Sequence, residues 1–78
     1  MNTASLMQSP SHSKVAALLR ESSRPDLRRL EVEETTEEVV LIGVVASYYL
    51  KQLAQECIRP AIAGRKLFNR VEVDPSAA

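Results

Sequence analysis

Hydrophobic residues recur every three or four positions in two parts of the chain, a spacing typical of amphipathic helices. The first part ends before Pro25, which disfavours helical backbone at the preceding residue. The second extends from Tyr48 to Ala63, with Ser47 as its N-cap and Gly64 as its C-terminal stop. Because Pro60 removes one helical hydrogen bond, the last turn is expected to kink or loosen. The inward positions of this helix are Leu50, Leu53, Ala54, Cys57, Ile58 and Ala61.

Between and after these helices the period of the hydrophobic positions falls to two, which is typical of strands. The strands contain Leu30 and Val32, residues 38–46, and residues 66–73, and the turn at residues 34–37 has no Gly, Asn or Asp. The order α-β-β-α-β predicts a two-layer α+β domain with both helices on one face of a three-stranded sheet. A right-handed crossover returns the third strand parallel to the second. Antiparallel pairing of this strand with the first gives the predicted spatial order 2-1-3.

The length of 78 residues and the apolar content of 45% predict one small domain. Residues 1–10 are expected to be a flexible N-terminal segment, residues 11–73 the folded domain and residues 74–78 a flexible tail. A core of this size rarely supplies more than about 3–5 kcal/mol. A partner or self-association would therefore contribute noticeably to stability, which favours an interaction protein.

Charge and hydropathy limit the compartment and the partners. Ten basic and ten acidic residues cancel, so no global field draws the chain to nucleic acid or to an anionic membrane. The longest apolar run is far below the roughly 20 residues of a membrane span, and residues 1–14 do not resemble a secretory signal. We expect a cytoplasmic protein, with peripheral membrane association as an alternative.

The sequence contains no pattern typical of an enzyme, a cofactor site or a metal site. With Gly43 and Gly64 as its only glycines, the chain has neither of the usual phosphate-binding loops. One histidine, His12, and one cysteine, Cys57, cannot assemble a usual zinc ligand set. Cys57 lies on the apolar stripe of the long helix and is expected to pack in the core. The acidic residues of positions 33–38 are interpreted as a solvated hairpin tip rather than a cation site.

One set of hydrophobic residues has no predicted burial within a single domain. Two parities are possible for the second strand. If its odd-numbered residues face the helices, the even-numbered ones lie on the opposite face, which is normally solvated in a two-layer domain. Such an apolar patch predicts an interaction surface, used for self-association or for a partner, unless charged side-chain stems or the N-terminal segment shield it. This candidate surface consists of Val40, Ile42, Val44 and Phe68.

A second group of residues is typical of contacts with a lipid surface or a protein partner. Tyr48 and Tyr49 begin the long helix outside its central apolar stripe, so at least one ring is expected at the surface. The other candidates are Arg59, Arg65, Lys66 and Arg70, which form a basic stretch. The tyrosines and the basic stretch lie about 15 Å apart along the helix.

One set of residues occurs in a fixed order along the chain, namely Val39-x-Leu41-x-Gly43-x-Val45-x-Ser47, then Lys51 and Ala54, then Gly64 and Leu67-x-Asn69-x-Val71-x-Val73. This ordered combination resembles the BON domain of bacterial osmotically induced and nodulation proteins. The resemblance covers residues 15–73. It departs from the family pattern at Arg65, where valine is usual, at the hairpin without Gly or Asp, and at Pro60. It implies a non-enzymatic module that binds phospholipid surfaces, proteins or small ligands, often in the bacterial envelope.

These observations predict a non-catalytic, BON-like interaction module that binds a protein partner or an anionic phospholipid surface without a cofactor. The alternative is a homo-oligomeric scaffold that associates through the outer sheet face. RNA binding is a remote third hypothesis, since the strands lack paired aromatic residues and the chain has no G-x-x-G clamp.

Overall fold

A computed structural model describes residues 13–77, and both the predicted flexible segment at 1–10 and His12 lie outside these described residues. The helices are α1 (Lys14–Arg20), α2 (Pro25–Arg28) and α3 (Tyr48–Ile58), with 3-10 turns at Arg59–Ala61 and Pro75–Ala77. The strands are β1 (Glu31–Glu34), β2 (Glu38–Ile42), β3 (Val44–Val45), β4 (Lys66–Asn69) and β5 (Glu72–Val73). The predicted α+β class with a three-stranded sheet is confirmed.

The helices begin and end where side chains satisfy or interrupt their backbone hydrogen bonds. Ser13 caps α1 by accepting from the Ala16 amide, and Ser47 caps α3 as predicted by accepting from the Leu50 amide at 3.2 Å. Helix α1 ends at Arg20 with Glu21 as its C-cap, before Pro25. Pro25 starts the one-turn helix α2, which the sequence pattern did not predict. Pro60 has the predicted effect on α3, whose last turn loosens into 3-10 geometry.

The turn of the β1–β2 hairpin contains no glycine, and the side chain of Thr35 accepts the hydrogen bonds of two backbone amides in it. The Thr35 Oγ1 atom accepts from the amides of Glu37 and Glu38 at 3.1 and 2.9 Å, and the Thr35 amide donates to the Glu38 carbonyl at 2.8 Å. This local side-chain capping closes the turn that the sequence left weakly specified.

The predicted strand order 2-1-3 is wrong. The order is β1-β2-β4, with β2 antiparallel to β1 and parallel to β4. The α3 crossover returns the chain to the free edge of β2, because consecutive elements usually lie side by side. β2 is the strand with apolar residues on both faces, which suits the central position, whereas the glutamates of β1 suit an exposed edge.

Gly43 interrupts β2 without changing the register of the parallel pair. Beyond it, β3 pairs in parallel with β5, and Val44 lies opposite Glu72 in the same offset that places Leu41 opposite Asn69. The Glu72 amide donates to the Gly43 carbonyl at 2.9 Å, which joins the two ladders. Strands β2 and β3 therefore present one continuous face on each side of the sheet.

The core lies between the helices and the inner face of the sheet. Of the two parities that the sequence left open for β2, the structure has the one with the odd-numbered residues inward, because Val39, Leu41 and Val45 are buried. Partly buried Leu53, Cys57 and Ala61 of the predicted helical stripe pack against this core. Beyond β5, the predicted tail forms a 3-10 turn, anchored where the Asp74 amide donates to the Val45 carbonyl at 2.8 Å. The other buried apolar residues are Val15, Ala16, Leu19, Leu27, Leu30, Leu50, Ala54, Ile58, Ile62 and Val71.

Candidate interaction surface

The four apolar residues that the sequence singled out lie together on the outer sheet face. We use this name for the surface formed by Val40, Ile42, Val44 and Phe68. Val40 lies directly opposite Phe68 in the parallel ladder, and alternation along the strand places Ile42 and Val44 on the same side. Val40 and Ile42 are half-buried, whereas Val44 is 48% exposed and Phe68 is 40% exposed. Val44 and Phe68 therefore contact solvent on this face.

Charged side chains surround the outer sheet face, with different signs on its two edges. Exposed Glu31 and Glu33 follow the β1 edge, and Glu38 lies at the start of β2. On the opposite edge, Lys66 begins β4 and Arg70 follows it, with Glu72 beyond. The resulting shallow groove is lined by Glu33, Glu38, Val40, Ile42, Phe68, Arg70 and Glu72.

One row of this surface places opposite charges on either side of an apolar residue. Glu31 lies opposite Ile42 in the antiparallel pair, and Arg70 occupies the corresponding position on the other side of Ile42. Two strand spacings separate their backbones by about 10 Å. In the described part of the chain neither Glu31 nor Arg70 forms a salt bridge. Both charges therefore remain solvated and open to a partner.

The tyrosines that the sequence predicted as contacts are exposed, but they lie outside this groove. Tyr48 is 75% exposed and Tyr49 is 62% exposed at the first turn of α3. The Arg24 guanidinium lies 5.4 Å from the centroid of the Tyr49 ring, within the range of a cation–π contact. Tyr49 is thus partly engaged within the chain, and Tyr48 presents the more accessible ring.

The four predicted basic contacts do not form one surface. Arg59 pairs with Glu56 through two hydrogen bonds of 2.8 and 3.2 Å, and this exposed pair lowers the pKa of the Glu56 carboxyl. Arg65 is engaged in contacts within the chain. Only Lys66 and Arg70 lie along the β4 edge, in a setting that also contains carboxylates.

Arg65 joins three separate parts of the fold, a role that the sequence reasoning missed. Its Nη1 atom donates to Glu34 Oε1 at 2.8 Å, and its Nη2 and Nε atoms donate at 2.8 Å to the carbonyls of Ala61 and Ile62. Glu34 also accepts from the hydroxyl of Ser13, the cap of α1. The guanidinium therefore connects the hairpin, the loop before β4 and the start of α1. The surplus of glutamates near the hairpin was the one sequence signal that a cation would be needed there.

Asn69 satisfies its amide on the inner side of the sheet. Its Nδ2 atom donates to the Lys51 carbonyl at 3.0 Å and to Gln55 Oε1 at 3.2 Å, while its Oδ1 atom accepts from the Val71 amide at 3.3 Å. The side chain thus ties β4 to α3 and satisfies a backbone amide between β4 and β5. This arrangement is structural, and it keeps Asn69 away from the outer sheet face.

Cys57 has the environment of a packing residue. It is half-buried against the core, its Sγ atom lies 3.5 Å from the Leu18 carbonyl, and burial raises the pKa of its thiol. We expect the folded protein to react with a thiol reagent at pH 8 more slowly than glutathione does, because less thiolate is present. Absorbance after addition of Ellman's reagent measures this rate. Equal rates for native and urea-unfolded protein would contradict the expectation.

Two further features concern metals and membranes. Among residues 13–77, no three His, Cys, Asp or Glu side chains come together in a way that could hold a metal ion. Within the same range no helix has the length and apolar content that crossing a membrane requires.

Comparison of the chain with protein-family models, with curated proteins and with solved structures found no match. The resemblance to the BON domain therefore stays a prediction from the ordered residues that carry it.

Proposed function

We propose that this protein is a non-catalytic interaction module that binds a protein partner through its outer sheet face. The observation that carries the proposal is the solvent contact of Val44 and Phe68 beside half-buried Val40 and Ile42. A contiguous apolar surface rimmed by charges is typical of a protein contact site. The BON resemblance implies the same kind of function.

The geometry favours a protein partner over an anionic lipid surface or RNA. Carboxylates of Glu33, Glu38 and Glu72 line the groove and would repel lipid headgroups and RNA phosphates alike. The basic residues that could offset them are divided, since Arg59 and Arg65 are engaged elsewhere. A protein surface can provide both apolar groups and charges of either sign.

A substitution at the centre of the groove tests this proposal. Ile42 is half-buried on the outer face of the sheet, so a glutamate at this position can keep its carboxylate in water. The fold of Ile42→Glu is therefore expected to persist. Affinity capture with the wild-type chain, followed by mass spectrometry, identifies bound proteins, and titration with each purified candidate measures its dissociation constant. We expect Ile42→Glu to weaken binding at least about tenfold. Gln52→Glu, at an exposed site on α3, is the matched control and should bind as the wild type does.

Two results would overturn the proposal. In one, no protein, including a second copy of this chain, binds the wild type more tightly than it binds the Ile42→Glu variant. In the other, the chain co-sediments with phosphatidylglycerol vesicles and Ile42→Glu abolishes that co-sedimentation, which would assign the outer sheet face to lipid.

A further inference from the structure

We infer that the outer sheet face binds a second copy of this chain, packed face to face about a two-fold axis parallel to β2. The inference rests on the proposed function, because it uses the same surface and names its partner. It is carried by the opposite charges at the two edges of the sheet, Glu31 and Glu33 on β1 and Lys66 and Arg70 along β4.

The direction of the two-fold axis decides which charges meet. An axis parallel to the strands exchanges the edges, so that β1 of each copy lies over β4 of the other. Since Glu31 and Arg70 flank Ile42 in one row, Glu31 of each copy then faces Arg70 of the other. The contact occurs twice, as two-fold symmetry requires.

With an axis perpendicular to the strands, β1 of each copy would lie over β1 of the other, and β4 would lie over β4. With this axis through the row of Ile42, Glu31 would face Glu31 and Arg70 would face Arg70. Like charges at a contact disfavour association and suppress that geometry. The axis parallel to β2 also places Glu38 of the central strand opposite Glu38 of the second copy, which is one like-charge contact against two Glu31–Arg70 pairs of opposite charge. The charges of the two edges therefore favour the axis parallel to β2.

The apolar residues occupy the centre of the same arrangement. Val40 and Ile42 of the central strand lie on the axis and contact their counterparts, as in two sheets packed about 10 Å apart. Phe68 then lies against the methylene groups of Glu33 of the second copy. Both exposed and half-buried apolar side chains of the outer sheet face lose solvent contact in this complex.

The size of the face predicts weak association. Three strands with about five residues each cover roughly 14 by 17 Å, well below the area of a standard stable interface. We expect a dimer that dissociates with a constant between about 10 µM and 1 mM. Association of this strength responds to local protein concentration.

A charge exchange between two single variants tests the pairing of Glu31 with Arg70. Sedimentation equilibrium of the full chain, up to about 1 mM protein at low salt, should show dimers for the wild type. Glu31→Arg and Arg70→Glu, measured alone, should each weaken dimerisation at least about tenfold, because each creates two like-charge contacts. An equimolar mixture of the two variants should dimerise again, since both contacts in the mixed dimer join opposite charges. Glu21→Arg, an exposed change at the end of α1, is the matched control and should dimerise normally.

Three outcomes would overturn this inference. They are a monomeric wild type over the whole concentration range, a mixture that stays monomeric, and a Glu21→Arg variant that is weakened as strongly as Glu31→Arg. If the wild type is monomeric while a foreign protein loses binding through Ile42→Glu, the proposed function stands and the second copy is excluded. If Ile42→Glu changes neither dimerisation nor the binding of a foreign protein, the proposed function and the dimer are both excluded.

Discussion

Replacing Gly43 by alanine is expected to remove most of the stability of the domain. Gly43 has a φ angle of +145°, which L side chains rarely adopt, and an added Cβ would lie 2.5 Å from Leu30 Cδ2. Leu30 is buried in the core and cannot move aside freely. Backbone strain and overpacking together predict a loss of about 3 kcal/mol. Urea unfolding followed by circular dichroism measures the loss, against a total stability of about 3–5 kcal/mol for a domain of this size.

Gly64→Ala is the matched control for this substitution. Gly64 also has a positive φ angle, +80°, but no atom lies within 4 Å of the place where its Cβ would be. Backbone strain alone predicts a loss of about 1 kcal/mol. If both variants lose the same free energy of unfolding, the contact with Leu30 has no role in the requirement for glycine at position 43.

Removing the guanidinium of Arg65 is the second substitution with a large expected effect. Arg65→Ala leaves Glu34 without its cation and the carbonyls of Ala61 and Ile62 without their donors. The side chains of Arg65 and Glu34 are only 19% and 22% exposed. The energy of this pair is therefore expected to lie between that of a surface ion pair and that of a buried one. We expect a loss of about 2 kcal/mol in the free energy of unfolding, measured by urea titration. Arg65→Lys should recover less than half of it, because a single ammonium cannot replace the planar fork.

The second ion pair of the described residues controls for charge alone. Arg59→Ala removes an exposed guanidinium whose side-chain hydrogen bonds, among residues 13–77, go to Glu56, so we expect no measurable change in stability. A double-mutant cycle of Glu34→Ala and Arg65→Ala should give a favourable coupling. A coupling near zero would show that Arg65 stabilises the fold through the carbonyl contacts and not through Glu34.

Predictions that depend on local spacing were confirmed. Side chains alternate across any strand, so the sequence placed Val39, Leu41 and Val45 on one face and Val40 and Ile42 on the other. The structure shows that the first set is the buried one. N-capping is equally local. Hydrogen bonding by Thr35 in the hairpin was missed because threonine is a weaker turn signal than glycine or asparagine.

Predictions that depend on contacts between distant residues were less successful. The order 2-1-3 followed from assumed pairing of the last strand with the first, which no local pattern can establish. Arg65 and Glu34 are 31 residues apart, so the same arginine that looked like an external contact was equally compatible with an internal one. Asn69 bonds to Lys51 and Gln55 of α3, which are 18 and 14 residues away along the chain.

The sequence by itself determined the α+β class, the long helix that Ser47 caps and the division of the β2 side chains between two faces. These features follow from periodicity and capping, which act over a few residues. Only the tertiary structure decided that β2 is the central strand and that Arg65 is an internal link. The placement of Glu31 and Arg70 on opposite sides of Ile42 was decided in the same way. The order of the strands and the partners of an ion pair depend on which distant segments pack together. The sum of many packing contacts across the domain determines which segments do so.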